Sequence, residues 1–261
     1  MNILDRIVVD KKKEVAQRKS LFPTSYWEQS PLFERPCESL ATHLIDKGIG
    51  ILAEHKRRSP SKAVINQSES VTDIVKAYTQ AGAAGISVLT DSKYFGGSLD
   101  DLVLARSVTQ LPLLRKEFIL DDYQLGEAKA HGADAILLIA SVLDRTAIKS
   151  LSETAQSLGL EVLLEVHNEA ELQKALMPSL NLLGVNNRDL KAFEVRLETS
   201  QELASLIPDE FVKVSESGIN DPQAVRDLRT YGYRGFLIGE HFMRAENSGR
   251  FTHEFIQACQ Q

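Results

Sequence analysis

Cysteine is scarce in this 261-residue chain: the two present, Cys37 and Cys259, lie near opposite ends with no CxxC pairing. Neither a disulfide framework nor a structural zinc site is expected, and a reducing, cytoplasmic setting fits. No apolar run reaches the about 18 residues that cross a bilayer, so no membrane partner is expected. The opening MNILDRIVVDKKKEVAQRKS carries Asp5, Asp10 and Glu14 among its bases and has no continuous apolar stretch. It does not read as a signal peptide. Positive charge is in deficit too, with 30 Lys and Arg against 36 Asp and Glu and a net charge of −6. A nucleic-acid partner normally demands a basic domain, so none is expected. The histidines show no HExxH or facial-triad spacing, and no metal site is expected. What is present is 43% hydrophobic and 25% charged, the balance of an ordinary soluble globular protein.

Short aliphatic runs recur with helical stretches between them. The pattern predicts strands over 50–53, 85–89, 113–115, 135–139, 161–165, 182–185, 212–214 and 235–238. Each run is nearly all apolar rather than alternating, as parallel strands buried on both faces require. Helix punctuation fills the gaps. Ser70 with Asp73 and Asn168 with Glu171 have capping-box spacing, and Asp144 and Asp221-Pro222 read as helix starts. Gly82, Gly132, Gly159 and Gly232 each stand between a helix and the next strand, where the chain must turn left-handed.

Eight βα units either close into a barrel or open into a doubly wound sheet. A dinucleotide-binding sheet needs GxGxxG after its first strand, but Glu54-His55-Lys56-Arg57-Arg58-Ser59-Pro60-Ser61 contains no glycine. The expected fold is therefore α/β, an eight-stranded (β/α)8 TIM barrel with an extra N-terminal helix, forming one domain over 1–261. Residues 1–45 form the helical extension and the barrel runs from about 48 to 261. Leu4, Ile7, Val8, Lys11 and Val15 have helical spacing, and Pro23, Pro31 and Pro36 break the remainder of the extension. This lead-in is expected to lie across one barrel mouth.

In such a barrel the chemistry sits where strands end. Lys116 and Glu165 end otherwise apolar strands, where burial and ionised neighbours are expected to shift pKa toward neutrality. A lysine so tuned donates a proton and a glutamate accepts one. Short Ser/Gly loops follow the seventh and eighth strands, and their backbone N–H groups suit a phosphate. Arg57 and Arg58 read as a solvated basic patch. His55 alternates with Glu54 and Lys56 and is expected to face the helix layer.

Beyond this chemistry, Glu54-His55-Lys56-Arg57-Arg58-Ser59-Pro60-Ser61-Lys62 resembles the first-strand signature of the indole-3-glycerol phosphate synthases, (β/α)8 enzymes of tryptophan biosynthesis. Further segments resemble the same family in the same order: Leu89 to Ser98, Leu114-Arg115-Lys116-Glu117-Phe118-Ile119, Leu164-Glu165-Val166-His167 and Gly184 to Leu190. Ser215-Glu216-Ser217-Gly218-Ile219 and Leu237-Ile238-Gly239-Glu240 complete the set.

The resemblance implies ring closure, decarboxylation and dehydration of 1-(2-carboxyphenylamino)-1-deoxyribulose 5-phosphate, with no metal and no organic cofactor. It implies that Lys116 is the general acid and Glu165 the general base, with Lys56 a substrate-binding lysine oriented by Glu54. Asn186, Arg188, Glu216 and Ser217 correspond to substrate-contacting positions. Ser59, Ser217, Gly218, Gly239 and Glu240 match the phosphate region, and Phe95 the cover of the aromatic ring. Ala63, His55 and Glu117 depart from the family pattern.

The expected partner is thus a small phosphorylated molecule, and no exposed heptad points to an obligate oligomer, so a monomer is favoured. A Schiff-base aldolase acting on a sugar phosphate is the rival enzyme, with Lys116 or Lys213 as the amine; Lys213 is mid-strand and placed to face the interior. A phosphate-ligand sensor that binds without turnover is the third reading.

Overall fold

The structure, a computed structural model, describes residues 2–189 and 194–261. Leu190, the last residue of one family-like segment, lies outside them. Eight parallel strands close into a barrel in sequence order. They are β1 (Gly50–His55), β2 (Gly85–Leu89), β3 (Leu113–Lys116), β4 (Ala135–Ile139), β5 (Glu161–Val166), β6 (Leu182–Asn186), β7 (Val212–Glu216) and β8 (Gly235–Ile238). Three helices precede the barrel: α1 (Ile3–Leu21), α2 (Thr24–Trp27) and α3 (Leu40–Asp46). The outer layer comprises α4 (Val71–Ala81), α5 (Ser92–Phe95), α6 (Leu99–Arg106), α7 (Tyr123–Ala130), α8 (Arg145–Ser157) and α9 (Glu169–Ala175). It continues with α10 (Glu198–Ala204), α11 (Pro222–Thr230), α12 (Glu240–Met243) and α13 (Ser248–Gln260).

The eight expected strands are all present, and several run further than their apolar stretches. β1 continues to His55, β3 to Lys116, β6 to Asn186 and β7 to Glu216. Ladder hydrogen bonds are made by backbone, so pairing persists where the side chain turns polar. The local punctuation is also as expected. Ser70, Asp144, Asn168 and Asp221 each accept a first-turn N–H, and Gly82, Gly132, Gly159 and Gly232 have φ of 94°, 86°, 75° and 93°.

Side-chain alternation then sorts residues between interior and helix layer. Leu52, Leu114, Leu163 and Val214 belong to the interior cluster. Two residues further along the same faces stand Glu54, Lys116, Glu165 and Glu216. A single strand period thus converts a dry core into a polar layer. Lys213 takes the opposite parity, which corrects its expected interior placement. Its Nζ donates to the Ala204 carbonyl at 2.8 Å, in the helix layer. His55 likewise lies outside, fully buried, with Arg57 and Asp101 as charged neighbours; burial lowers its pKa to about 4.

The lead-in does more than cross one mouth. Leu40 and Leu44 of α3 join the interior cluster from below. A Cβ on Gly50 would lie 2.6 Å from Leu44 Cδ2, and one on Gly85 2.7 Å from Leu40 Cδ1, so these strand starts admit α3 because they are bare. At the other end Ile3, Leu4 and Ile7 of α1 line the cavity above the strands. Between the two, Arg18 pairs with Glu127 at 3.1 Å, Arg35 with Asp134 at 2.5 Å, and Ser39 Oγ donates to Glu161 at 2.6 Å. The extension braces the barrel along its whole height. Lys11, 2% exposed, pins α1 to the upper loops through Asp91 at 3.0 Å and Glu117 at 3.1 Å. Among the described residues no helix is long and apolar enough to cross a membrane.

Candidate active site

Every catalytic, substrate and phosphate residue that the family resemblance implies lines one cavity of about 890 Å³ at the C-terminal ends of the strands, whereas Lys213 does not. Glu54 and Lys56 come from β1 and its loop, Lys116 from β3, Glu165 from β5, Asn186 from β6 and Glu216 from β7. Lys116 is the hub. Its Nζ lies 2.5 Å from Glu216 Oε2 and 3.3 Å from Glu165 Oε2. Lys56 Nζ lies 2.7 Å from Glu54 Oε1, whose partner oxygen accepts from Ser87 Oγ at 3.4 Å.

The charges of this layer shift in directions the sequence reading did not anticipate. Burial presses Lys116 toward the neutral amine, but the carboxylates of Glu216, Glu165 and Glu54 outweigh it and hold its pKa above the ordinary lysine value. Glu165 is not raised toward neutrality either. Burial lifts it, yet the Lys116 and His167 cations bring it below the usual carboxylate range. Glu54 is lowered in the same way, against burial, by Lys56 and Lys116. The carboxyl that does move toward neutrality is Glu216, pushed up to about 7 by burial, against the pull of Lys116 and with Glu165 repelling it. Two carboxylates flanking one cation are therefore held in different protonation regimes, the arrangement that separates acid from base roles.

Gly184 makes room for Glu216, since a Cβ there would overlap Glu216 Oε1. An isolated glycine inside an apolar strand run is the sequence signal of such a close approach. Gly239 does the same for Glu54, whose Oε1 would lie 2.5 Å from a Cβ at that position.

At the opposite side of the cavity the β7 loop turns sharply. Ser217 has φ 68°, the one positive value among described non-glycine residues, and Gly218 follows at 78°. Such strain persists only where surroundings enforce it. Asn187 supplies the enforcement: its Nδ2 donates to the Glu216 carbonyl at 3.0 Å and the Ser217 carbonyl at 3.2 Å. Ser200 Oγ in turn donates to Asn187 Oδ1 at 2.8 Å. Ser217 and Gly218 both line the cavity, and a tight turn of this kind can present successive backbone N–H groups to an anion. Ser59 sits in a turn closed by Ser59 N–H to the Lys62 carbonyl at 2.8 Å, and Lys62 reaches across to pair with Glu240. Gly239 and Glu240 begin α12, whose first N–H groups have no intrahelical acceptor.

The apolar wall consists of Phe95, Phe118, Leu137, Ile139, Ile219 and Leu237 with the α1 residues. Phe95 and Phe118 pack with ring centroids 6.1 Å apart. Arg57 and Arg58 are not a solvated patch: they staple the β1 loop to the loop that carries Phe95. Arg57 donates to Asp101 at 2.8 Å and to the Gly96 carbonyl at 3.0 Å, and Arg58 to the Ser92 carbonyl at 2.6 Å. Phe118, Gly184, Asn187, Arg57 and Arg58 are contributors that the sequence reading left without a role, although all lie in segments it singled out.

The chain matches the family described as indole-3-glycerol phosphate synthase over residues 4–255. It is 44% identical over 259 residues to the indole-3-glycerol phosphate synthase of Bacteroides thetaiotaomicron, covering 99% of each chain. To that of Salinibacter ruber it is 45% identical over 251 residues, covering 95% of this chain and 93% of the relative. Among solved structures it resembles a tryptophan synthase alpha-subunit mutant of Pyrococcus furiosus at TM-score 0.61 and 14% identity, covering 82% of this chain and 98% of the other. A thiamine phosphate pyrophosphorylase of the same organism matches at TM-score 0.62 and 16% identity, covering 83% and 98%. Those two likenesses carry the fold alone. Family match and near-full-length relatives together establish that the chain belongs to the indole-3-glycerol phosphate synthase family and is an enzyme, a decarboxylating lyase on a (β/α)8 barrel.

Proposed function

We propose that this protein closes the indole ring of indole-3-glycerol phosphate from 1-(2-carboxyphenylamino)-1-deoxyribulose 5-phosphate, releasing CO2 and water. The observation that carries the reading is a cationic Lys116 held between two carboxylates of unequal pKa on the floor of a half-apolar cavity. The substrate ketone takes the place of a carboxylate at Lys116 Nζ, and the lysine polarises it and delivers a proton as the aromatic carbon attacks. The former anthranilate carboxylate leaves as CO2, and the apolar wall of Phe95, Phe118, Leu137 and Ile139 holds the ring. Glu165, ionised, then takes the proton from carbon, and the hydroxyl departs as water on a proton from Lys116, which has been recharged from solvent after the first step. Lys56, oriented by Glu54, and Arg188 supply cations for the substrate's anionic groups, with Asn186 and Glu216 beside them. The phosphate occupies the loops of Ser59, Ser217-Gly218 and Gly239-Glu240, which line the cavity and whose backbone N–H groups suit an anion.

A Schiff-base aldolase needs a neutral amine. Lys116, with three carboxylates around it, is held as a cation, and Lys213 faces the helix layer. The test is a continuous assay of indole absorbance with the carboxyphenylamino substrate. Turnover supports the reading, whereas binding without turnover, or borohydride trapping of a ketose phosphate on Lys116, overturns it.

The phosphate loops yield a separate expectation. Inorganic phosphate should compete with substrate. Gly218→Ala should weaken both, because a Cβ at φ 78° strains the turn and collides with Val195. Loss of one or two hydrogen bonds to a charged group corresponds to about 10- to 100-fold in KM and in the phosphate inhibition constant, with kcat less affected. Steady-state inhibition kinetics on both proteins checks this. Equal inhibition constants would remove the phosphate from this loop.

A further inference from the structure

His167 follows β5 directly, two residues after Glu165, and its ring is wedged between two carboxylates. Nε2 lies 3.4 Å from Glu165 Oε1 and Nδ1 lies 3.1 Å from Glu171 Oε2. Nδ1 is hydrogen-bonded to Glu171 Oε2, whereas Nε2 is buried without a hydrogen bond and meets Glu165 Oε1 at ion-pair distance, a contact that only the doubly protonated imidazolium makes favourable. Glu171 cannot swing away. Its Oε2 also accepts the His167 backbone N–H at 2.9 Å, and its Oε1 accepts from Asn168 Nδ2 at 3.1 Å. The capping pair that starts α9 therefore doubles as a clamp on the ring.

The surroundings favour the cation. Facing His167 are Glu165 on β5, Glu171 on α9 and, further off, Glu216 on β7. On its other side His167 borders a second cavity of about 440 Å³ that bears Glu169, Asp189, Glu194 and Glu202 against Arg196. Burial lowers the His167 pKa, but Glu171 and Glu165 more than offset it and leave it raised. His167 also explains why the two carboxylates beside Lys116 differ: the imidazolium touches Glu165 and not Glu216.

We propose that His167 is a positioning residue for Glu165, a bridging imidazolium clamped by Glu171 that fixes the carboxylate with Oε1 anchored and Oε2 turned to the Lys116 side of the cavity. It rests on the reading of Glu165 as the base. Without His167, Oε1 loses its cation, and the Glu165 carboxylate is held only through Lys116 and the Asn186 side chain, on the side away from this anchor.

The test combines ring-nitrogen NMR with kinetics on the full-length protein. In the wild type the His167 ring, assigned by its loss in His167→Gln, should titrate above 6.5, and its pKa should fall in Glu165→Gln and in Glu171→Gln. Removal of an opposite charge at this distance shifts a pKa by about one unit or more. In His167→Gln the acidic limb of kcat/KM should move upward by about one unit, since Glu165 loses a cation. Its kcat should fall by about tenfold to a hundredfold from misplacement of the base, with KM within about threefold. His167→Asn serves if the first variant does not fold. A ring that titrates normally and ignores Glu165→Gln overturns the bridge. A bridge present in the spectra with unchanged kcat and limb overturns the positioning role. Retained turnover in Glu165→Gln instead removes the base itself, while the NMR still reports the bridge, so the two failures are told apart.

Discussion

Replacing Lys116 by methionine should lower kcat by about 100- to 10,000-fold while KM moves by less than about tenfold. Lys116 is the cation that the carboxylates of Glu216, Glu165 and Glu54 surround, and methionine keeps most of its apolar stem without its charge. The loss belongs to the step in which the ketone is activated, so rapid quench should find unreacted substrate. A variant that keeps more than about a tenth of kcat when chemistry limits would remove Lys116 as the acid. The same substitution has a signature in stability. In the wild type Glu216 titrates near 7 instead of the ordinary 4.5, so the folded protein binds more protons than the unfolded chain between those values, and stability contributed by this group falls as pH rises through them. Without Lys116, Glu165 and Glu54 each lose one of the cations that lower them, His167 and Lys56 remaining, and Glu216 loses the cation that holds it down. Urea unfolding of Lys116→Met should therefore show a steeper loss of stability from pH 5 to 8 than the wild type. An identical slope would mean that the three carboxylates are not coupled through Lys116.

Glu165→Gln should close the ring and then stall. Glutamine keeps the size and hydrogen-bonding reach but cannot accept a proton. If Glu165 acts only after ring closure, rapid quench with mass detection should find an intermediate lighter than substrate by CO2. Overall kcat should fall by about 100- to 10,000-fold, the range for loss of a general base. Glu165 is ionised ahead of its step, because Lys116 and His167 hold it below the usual carboxylate range. Its acidic limb in kcat/KM should accordingly lie below about 4.5 and be absent from the variant, while a separate limb near 7 reports Glu216. The masses are the firmer readout, since a different slow step masks a limb. Unreacted substrate alone in both variants would mean that the two groups act in the same step, and the order assigned to them would be withdrawn.

Local chemistry was readable directly from the residues. Eight apolar runs, their order, and helix starts at Ser70, Asp144, Asn168 and Asp221 depend on neighbours a few positions away. So do the polar residues that end strands, and the barrel then brings Glu54, Lys116, Glu165 and Glu216 together because each stands two positions beyond an inward apolar residue. Four quantities were not local. Whether Lys213 faced in or out depended on strand parity against the closed interior, which one strand alone does not reveal. Arg57 and Arg58 became staples only because α5 and α6 place Gly96, Ser92 and Asp101 beside them. The lead-in reached both barrel ends because bare glycines at 50 and 85 admit α3 below while Ile3, Leu4 and Ile7 lie above. The directions of the pKa shifts were the furthest from the sequence. They follow from separations of about 3 Å among charges brought together by β3, β5 with the residue that follows it, and β7, where burial and Coulomb attraction oppose each other at similar size and geometry alone decides the sign.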